Sequence, residues 1–159
     1  MKIIYKQIGV IHSPFLEPKG VPIQPSSNKT TEGVVEVFKE YQNGLKDLEE
    51  FSHIILIYHF HLIKEHKLLV KPFMDDNLHG VFSTRAPSRP NPIGISVVKL
   101  EKIKENKLYV KNIDIVDGTP LIDIKPYVPQ FNLKGPYKIG WLNKEIHKLA
   151  NSEDDGRFL

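Results

Sequence analysis

The chain has no cysteine among its 159 residues. Disulfides, thiolate nucleophiles and thiolate metal sites are therefore excluded. No apolar run approaches the ~20 residues that a membrane-spanning helix needs. The opening Met1-Lys-Ile-Ile-Tyr-Lys6 lacks the apolar core of a signal peptide. These absences predict a soluble, cytoplasmic protein with no membrane partner. There is no Gly-x-Gly-x-x-Gly and no P-loop, so nothing predicts a doubly wound nucleotide-binding sheet. There is no Gly-x-Ser-x-Gly elbow and no His-Glu-x-x-His helix, so nothing predicts a hydrolase triad or a metalloprotease. Charge of one sign is scarce too. Lys and Arg number 22 against 19 Asp and Glu, a net +3 that favours a polyanion partner only weakly.

What the chain does have is proline, 12 in all. Three of them, Pro87, Pro90 and Pro92, punctuate Gly80-Val-Phe-Ser-Thr-Arg-Ala-Pro-Ser-Arg-Pro-Asn-Pro-Ile-Gly94, which also carries Arg85 and Arg89. Proline fixes φ and removes a backbone donor. The segment is therefore stiff and extended, and a stiff loop loses little entropy when it orders around a ligand. Gly94 permits close backbone approach as the chain returns to a strand at Ile95.

Around this loop the pattern is β. Strands are predicted at 6–11, 33–38, 54–61, 68–72, 80–84, 95–104, 107–116 and 120–127, with Glu105-Asn106 as a hairpin turn. A short helix is predicted at 43–51 and another at 141–150, with a frayed tail over 151–159. Between His12 and Gly33 runs a long irregular loop with Pro14, Pro18, Pro22, Pro25 and the polar run Ser26-Ser-Asn-Lys-Thr-Thr31. Short strands at regular spacing with little helix point to a mainly β fold built on a small barrel. The barrel domain is assigned to 1–135, and the helix and flexible tail to 136–159.

Four groups carry candidate chemistry. The proline loop offers Arg85 for bidentate pairing with a carboxylate or phosphate, and the backbone of 93–95 for the edge of a flat heterocycle. Asp114-Ile-Val-Asp117-Gly-Thr-Pro-Leu-Ile-Asp123-Ile-Lys125-Pro-Tyr127 combines turn chemistry with a dense set of polar side chains. His59 and His61 share a strand face, but no third ligand at fixed spacing follows, so no metal is expected. Gln24 is held between Pro22 and Pro25 and reads either as a solvated amide or as a reader of a base or amino acid. Lysines cluster at Lys64, Lys67 and Lys71, and again at Lys102, Lys104, Lys107 and Lys111. They read either as solvated surface or as polyanion contacts.

Taken in order, Ile8-Gly-Val-Ile-His-Ser-Pro-Phe15, Phe51-Ser-His53, the proline loop 80–94 and Val116-Asp-Gly-Thr-Pro-Leu-Ile-Asp-Ile-Lys-Pro-Tyr127 closely resemble the TsaA/TrmO (YaeB-like) family. The resemblance covers roughly residues 5–129. It implies a YaeB-like β-barrel methyltransferase that uses S-adenosyl-L-methionine. The implied target is the exocyclic amine of threonylcarbamoyladenosine, beside the anticodon of tRNA. A homodimer is implied as well.

By the same resemblance the cofactor is held by Pro22, Ile23, Gln24, His61, Leu62, Arg85, Ile95, Asp117, Gly118, Thr119 and Pro120. Ile23 and Leu62 depart from the family's arginine and glutamine. Asp117 and Tyr127 are the candidate proton acceptors, and Arg89, Lys102 and Lys104 the candidate RNA contacts. The chain resembles the shorter, archaeal-type form without the bacterial C-terminal domain. The rival readings are a non-catalytic RNA- or nucleotide-binding barrel, or a methyltransferase of another substrate.

Overall fold

The computed structural model describes residues 1–25 and 30–159; residues 26–29 of the polar run lie outside the described residues. Six strands close into an antiparallel barrel. They are β1 (Gly9–His12), β2 (Glu32–Val37), β3 (His53–His59), β6 (Ile93–Lys104), β7 (Lys107–Lys111) and β8 (Thr119–Pro126), in the order β1-β2-β7-β6-β3-β8. Two residues each of β4 (Leu69–Val70) and β5 (His79–Gly80) form a separate ribbon. Closure leaves the barrel with no free sheet edge.

The barrel forms because alternate residues are apolar. On β3, Ile54, Leu56 and Tyr58 point inward and are buried, while Ile55, Ile57 and His59 are half-buried on the outer face. Ile11, Val35, Val98, Leu108, Ile113 and Leu121 complete the interior with no exposed surface. Each such side chain contributes about 1.5–3 kcal/mol on burial. The Glu105-Asn106 turn forms as expected. Glu105 takes a left-handed φ of 56°, and the buried Asn106 amide donates to the Val37 carbonyl at 2.7 Å. Pro120 sits at the start of β8, past the reach of β3, whose pairing begins at Tyr58↔Leu121. Its missing N–H therefore costs no bond to that strand.

Three expectations need correction. Residues 80–84 are not a strand: β5 ends at Gly80 and a 3-10 turn follows over Val81–Ser83. The predicted helices are shorter. Two 3-10 turns, Lys39–Leu45 and Leu48–Glu50, replace the first, while α1 (Leu142–Glu145) and a 3-10 segment, Ile146–Asn151, replace the second. The segment 151–159 does not run free. It folds back along residues 20–23, with the Gly20 N–H donating to the Asp154 carbonyl at 2.7 Å and the Asp154 N–H to the Val21 carbonyl at 2.8 Å. Phe158 packs against Val70, Val81 and Ala86, and its ring meets Phe73 edge-on at 5.1 Å. An apolar anchor inside an acidic segment opposes fraying.

Candidate functional site

The strand ends collect at one mouth of the barrel. β3 finishes there at His59, and β6 and β8 start there at Ile93 and Thr119. Two adjoining cavities open at this mouth, the second the larger. They share Val21, Tyr58, Phe60, Pro87, Asp114 and Asp154, and so form one continuous groove.

Stretches far apart in sequence supply the groove's walls. Pro22, Ile23, Gln24, Arg85 and Ile95 line the larger cavity, and His61, Leu62 and Thr119 the smaller. Eight of the eleven expected cofactor residues are thus brought together. Arg85 Nη1 donates to Gln24 Oε1 at 3.0 Å, which joins the proline loop to the long loop across 61 residues of sequence. The resulting pair is exposed and polar, and lines the larger cavity. Thr119 Oγ1 donates to the Val116 carbonyl at 2.7 Å. Its proton being used, the 3.4 Å contact with His61 Nδ1 makes that nitrogen the donor. Partial burial, helped by His59, holds the His61 pKa below its usual value, so the ring stays neutral near pH 7.

The floor is polar in one place. Tyr58 is buried, and its hydroxyl lies 3.0 Å from Ser96 Oγ. Ser96 is itself buried and donates to Asp114 Oδ1 at 2.6 Å. One proton per hydroxyl fixes the direction of the chain, from Tyr58 to Ser96 to Asp114. Burial pushes the Asp114 carboxyl up to about 7, against the lowering effects of the Ser96 bond and the Arg85 charge. Burial and the Asp114 charge push the Tyr58 hydroxyl well above its usual range, so it remains a donor. Gly94 makes room for this arrangement. A Cβ on Gly94 would lie 2.2 Å from the Tyr58 ring, so the close approach expected at Gly94 is to a side chain of the floor.

Other expected residues fall elsewhere. Asp117, Gly118 and Pro120 do not line the groove. Asp117 Oδ1 accepts the Ser13 N–H at 3.0 Å, and the Gly118 N–H donates to the Ile11 carbonyl at 2.9 Å. Gly118 takes a left-handed φ of 77°, which suits glycine. This turn fastens β8 to β1. Tyr127 lies past the far end of β8, roughly 25 Å from Thr119 at ~3.3 Å per residue. There its hydroxyl accepts from Asn132 Nδ2 at 2.9 Å. Neither expected proton acceptor therefore reaches the groove of its own chain.

Arg89 lines the larger cavity, but its Nη1 donates to the carbonyls of Thr84 at 3.0 Å, Ala86 at 3.1 Å and Val81 at 3.4 Å. It braces the loop, rather than standing free for RNA. Lys102 and Lys104 sit near the hairpin turn, roughly 25–30 Å along β6 from Ile95, with Lys102 Nζ over the Tyr109 ring at 4.6 Å. His53 lies at the opposite end of β3 from His59, and no group of three metal-ligating side chains occurs among the described residues. Sequence reasoning missed Asp114 as an individual, Tyr58 and the 152–158 wall.

The described residues define the class as a closed antiparallel β-barrel with a groove at one mouth. A family model for the tRNA-methyltransferase O N-terminal domain matches residues 10–133, and the chain belongs to this TrmO family. It is 62% identical over 159 residues to a probable S-adenosyl-L-methionine-binding protein of Pyrococcus abyssi, covering all of this chain and 86% of that one. It is 39% identical over 135 residues to the tRNA (adenine(37)-N6)-methyltransferase of Escherichia coli, covering 79% of this chain and 57% of the enzyme. The crystal structure of TrmO from Pseudomonas aeruginosa superposes with a TM-score of 0.74 at 36% identity, over 89% of this chain and 63% of that one. The chain thus spans under two thirds of these last two relatives.

Proposed function

We infer that this chain is an S-adenosyl-L-methionine-dependent tRNA methyltransferase whose target is the exocyclic amine of threonylcarbamoyladenosine beside the anticodon. The observation that carries this reading is the convergence of 22–24, 61–62, Arg85, Ile95 and Thr119 on one groove. Chains of related sequence carry names that speak of binding this cofactor and of methylating tRNA adenine.

The groove's chemistry fits such a cofactor. Tyr58, Phe60 and Phe73 offer apolar and aromatic wall for a purine. The exposed Arg85 guanidinium suits a terminal carboxylate. Asp154 supplies an acidic group for a cationic ligand. When bound, the cofactor supplies a methyl group already activated on sulfonium. The chain's own task is then alignment, by rigid walls that hold the two reactants together. Lys67, whose N–H donates to the Ser88 carbonyl at 3.1 Å, flanks the proline loop, and is a nearer candidate than Lys102 or Lys104 for the first phosphate contacts. We read the active form as a cytoplasmic homodimer. The half-exposed Ile93 and Ile95 beside the groove offer apolar surface to a second copy.

Calorimetry with S-adenosyl-L-methionine tests the site. The wild type is expected to bind, and Arg85→Ala to bind at least tenfold more weakly with an unchanged melting temperature. Labelled-methyl incorporation into tRNA with and without the threonylcarbamoyl group tests the substrate. No binding at high micromolar cofactor would overturn the reading, and equal labelling of both tRNAs would overturn the substrate assignment.

A further inference from the structure

We propose that Asp114 is the groove's proton acceptor, placed to take a proton from the substrate amine as that nitrogen is methylated. The proposal rests on the methyltransferase reading above. Its geometric basis is separate from the motifs that suggested that reading.

Asp114 belongs to both cavities, where the two meet over the barrel mouth. It is held from behind by a one-way donor chain, Tyr58 to Ser96 to Asp114, whose inner members are buried. Both hydroxyl protons point toward the carboxyl, so the chain favours its charged form and fixes its orientation. The expected acceptors do not line the groove of their own chain. Asp117 is engaged by the Ser13 N–H outside the groove, and Tyr127 lies at the other end of β8. His61 also lines the groove, and with Nδ1 donating to the buried Thr119 its Nε2 is left as an acceptor, but it has no donor chain behind it like the one that orients Asp114.

The chemistry balances. The amine nitrogen gains an N–C bond as the S–C bond breaks, the sulfur keeps the electron pair, and the nitrogen's proton passes to Asp114. A carboxyl that titrates near neutrality is suited to the task, since a base is most effective when its pKa lies near the working pH. The titratable and charged groups around it are Tyr58 from β3, Arg85 and Arg89 from the proline loop, His61 beyond β3 and Asp154 from the returning tail.

The experiment has a cofactor-free arm and a turnover arm. Carbon-13 NMR of the Asp114 carboxyl in the protein alone is expected to show titration near neutral pH. Ser96→Ala is expected to move it upward, because the Ser96 bond is a lowering influence. Titration near pH 4 would overturn the proposal. In single-turnover methylation at saturating cofactor, Asp114→Asn is expected to slow the reaction by roughly 10²–10⁴-fold, the usual worth of a general base. Its calorimetric cofactor affinity should stay within threefold of wild type. Ser96→Ala should keep a rate plateau within a few fold and shift the acid limb of the pH profile upward. A tenfold loss of cofactor affinity in Asp114→Asn with an unchanged turnover rate would make Asp114 a cofactor ligand and overturn the proposal. A wild type that binds no cofactor would instead fail the reading beneath it, and the proposal with it.

Discussion

Gly94→Ala tests how tightly the floor of the groove is built. The new Cβ would lie 2.2, 2.4 and 2.8 Å from three atoms of the Tyr58 ring. Carbon pairs are comfortable at ~3.5–4.0 Å, so the ring or the β6 backbone must retreat by roughly 1.5 Å. Neither moves freely. Tyr58 and Gly94 are register partners across β3 and β6, and the ring is buried with its hydroxyl on Ser96. Overpacking of this kind costs about 1–3 kcal/mol, and loss of the hydroxyl bond about 1 kcal/mol more. Removing a glycine from a strand returns about 0.5–1 kcal/mol. The net expectation is a destabilisation of about 1–3 kcal/mol. At ~2–4 °C per kcal/mol for a chain of this size, Tm should fall by about 3–10 °C.

Urea and thermal unfolding measure the effect, and a double-mutant cycle assigns its cause. In a Tyr58→Leu background the ring is gone, and Gly94→Ala should cost little or even stabilise. A coupling of at least ~1 kcal/mol is expected. Additivity of the two changes, or a single variant within about 0.5 kcal/mol of wild type, would refute the claim that Gly94 exists to seat the ring.

Two further substitutions separate bracing from binding. Arg89→Ala removes three hydrogen bonds to loop carbonyls; we expect a loss of about 1–3 kcal/mol, read by denaturant unfolding, with Arg89→Lys failing to restore it because an ammonium lacks the planar fork. Asp117→Ala removes the acceptor of the Ser13 N–H; it should lower stability by about 1 kcal/mol while cofactor affinity measured by calorimetry stays within a few fold.

Much of this arrangement was legible in the sequence. Alternation on 54–61 marked the central strand, and Glu105-Asn106 marked the hairpin, because a two-residue turn and a period of two are local signals. Motif resemblance located Gln24, His61, Arg85 and Thr119, four residues that no local rule would bring together. What stayed hidden was the work done by tertiary contact. Residues 80–84 look like a strand, yet the Val81 N–H donates to the Leu68 carbonyl and the Thr84 N–H to the Val81 carbonyl, which closes a turn instead. Asp117 and Asp114 are equally plausible acids on paper. Only the barrel's register faces one to a backbone N–H outside the groove and sets the other over a serine inside it. The returning tail was hidden for a related reason. Its acidic composition outweighs one phenylalanine in any local reading, whereas in the fold Phe158 finds Phe73 and a small apolar cluster.

The two arginines of the proline loop show why such a loop carries two. Arg89 is half-buried and satisfied by backbone carbonyls of its own loop. Replacing those partners with a ligand would leave carbonyls unpaired, a cost of about 1–3 kcal/mol for each buried one. Arg85 is exposed, and its bond is to a single glutamine amide that water can replace. Exchanging that partner for an incoming carboxylate costs little and gains a charge-assisted bond. The same local sequence thus gives one cation that fixes the loop and one that remains exchangeable. Pro87, the one proline between them, fixes the backbone there, and the Arg89 N–H closes a tight turn onto its carbonyl at 2.8 Å. A loop built this way can present Arg85 to a ligand without first paying the entropy of ordering itself, and the affinity lost in Arg85→Ala should therefore appear without a loss of stability.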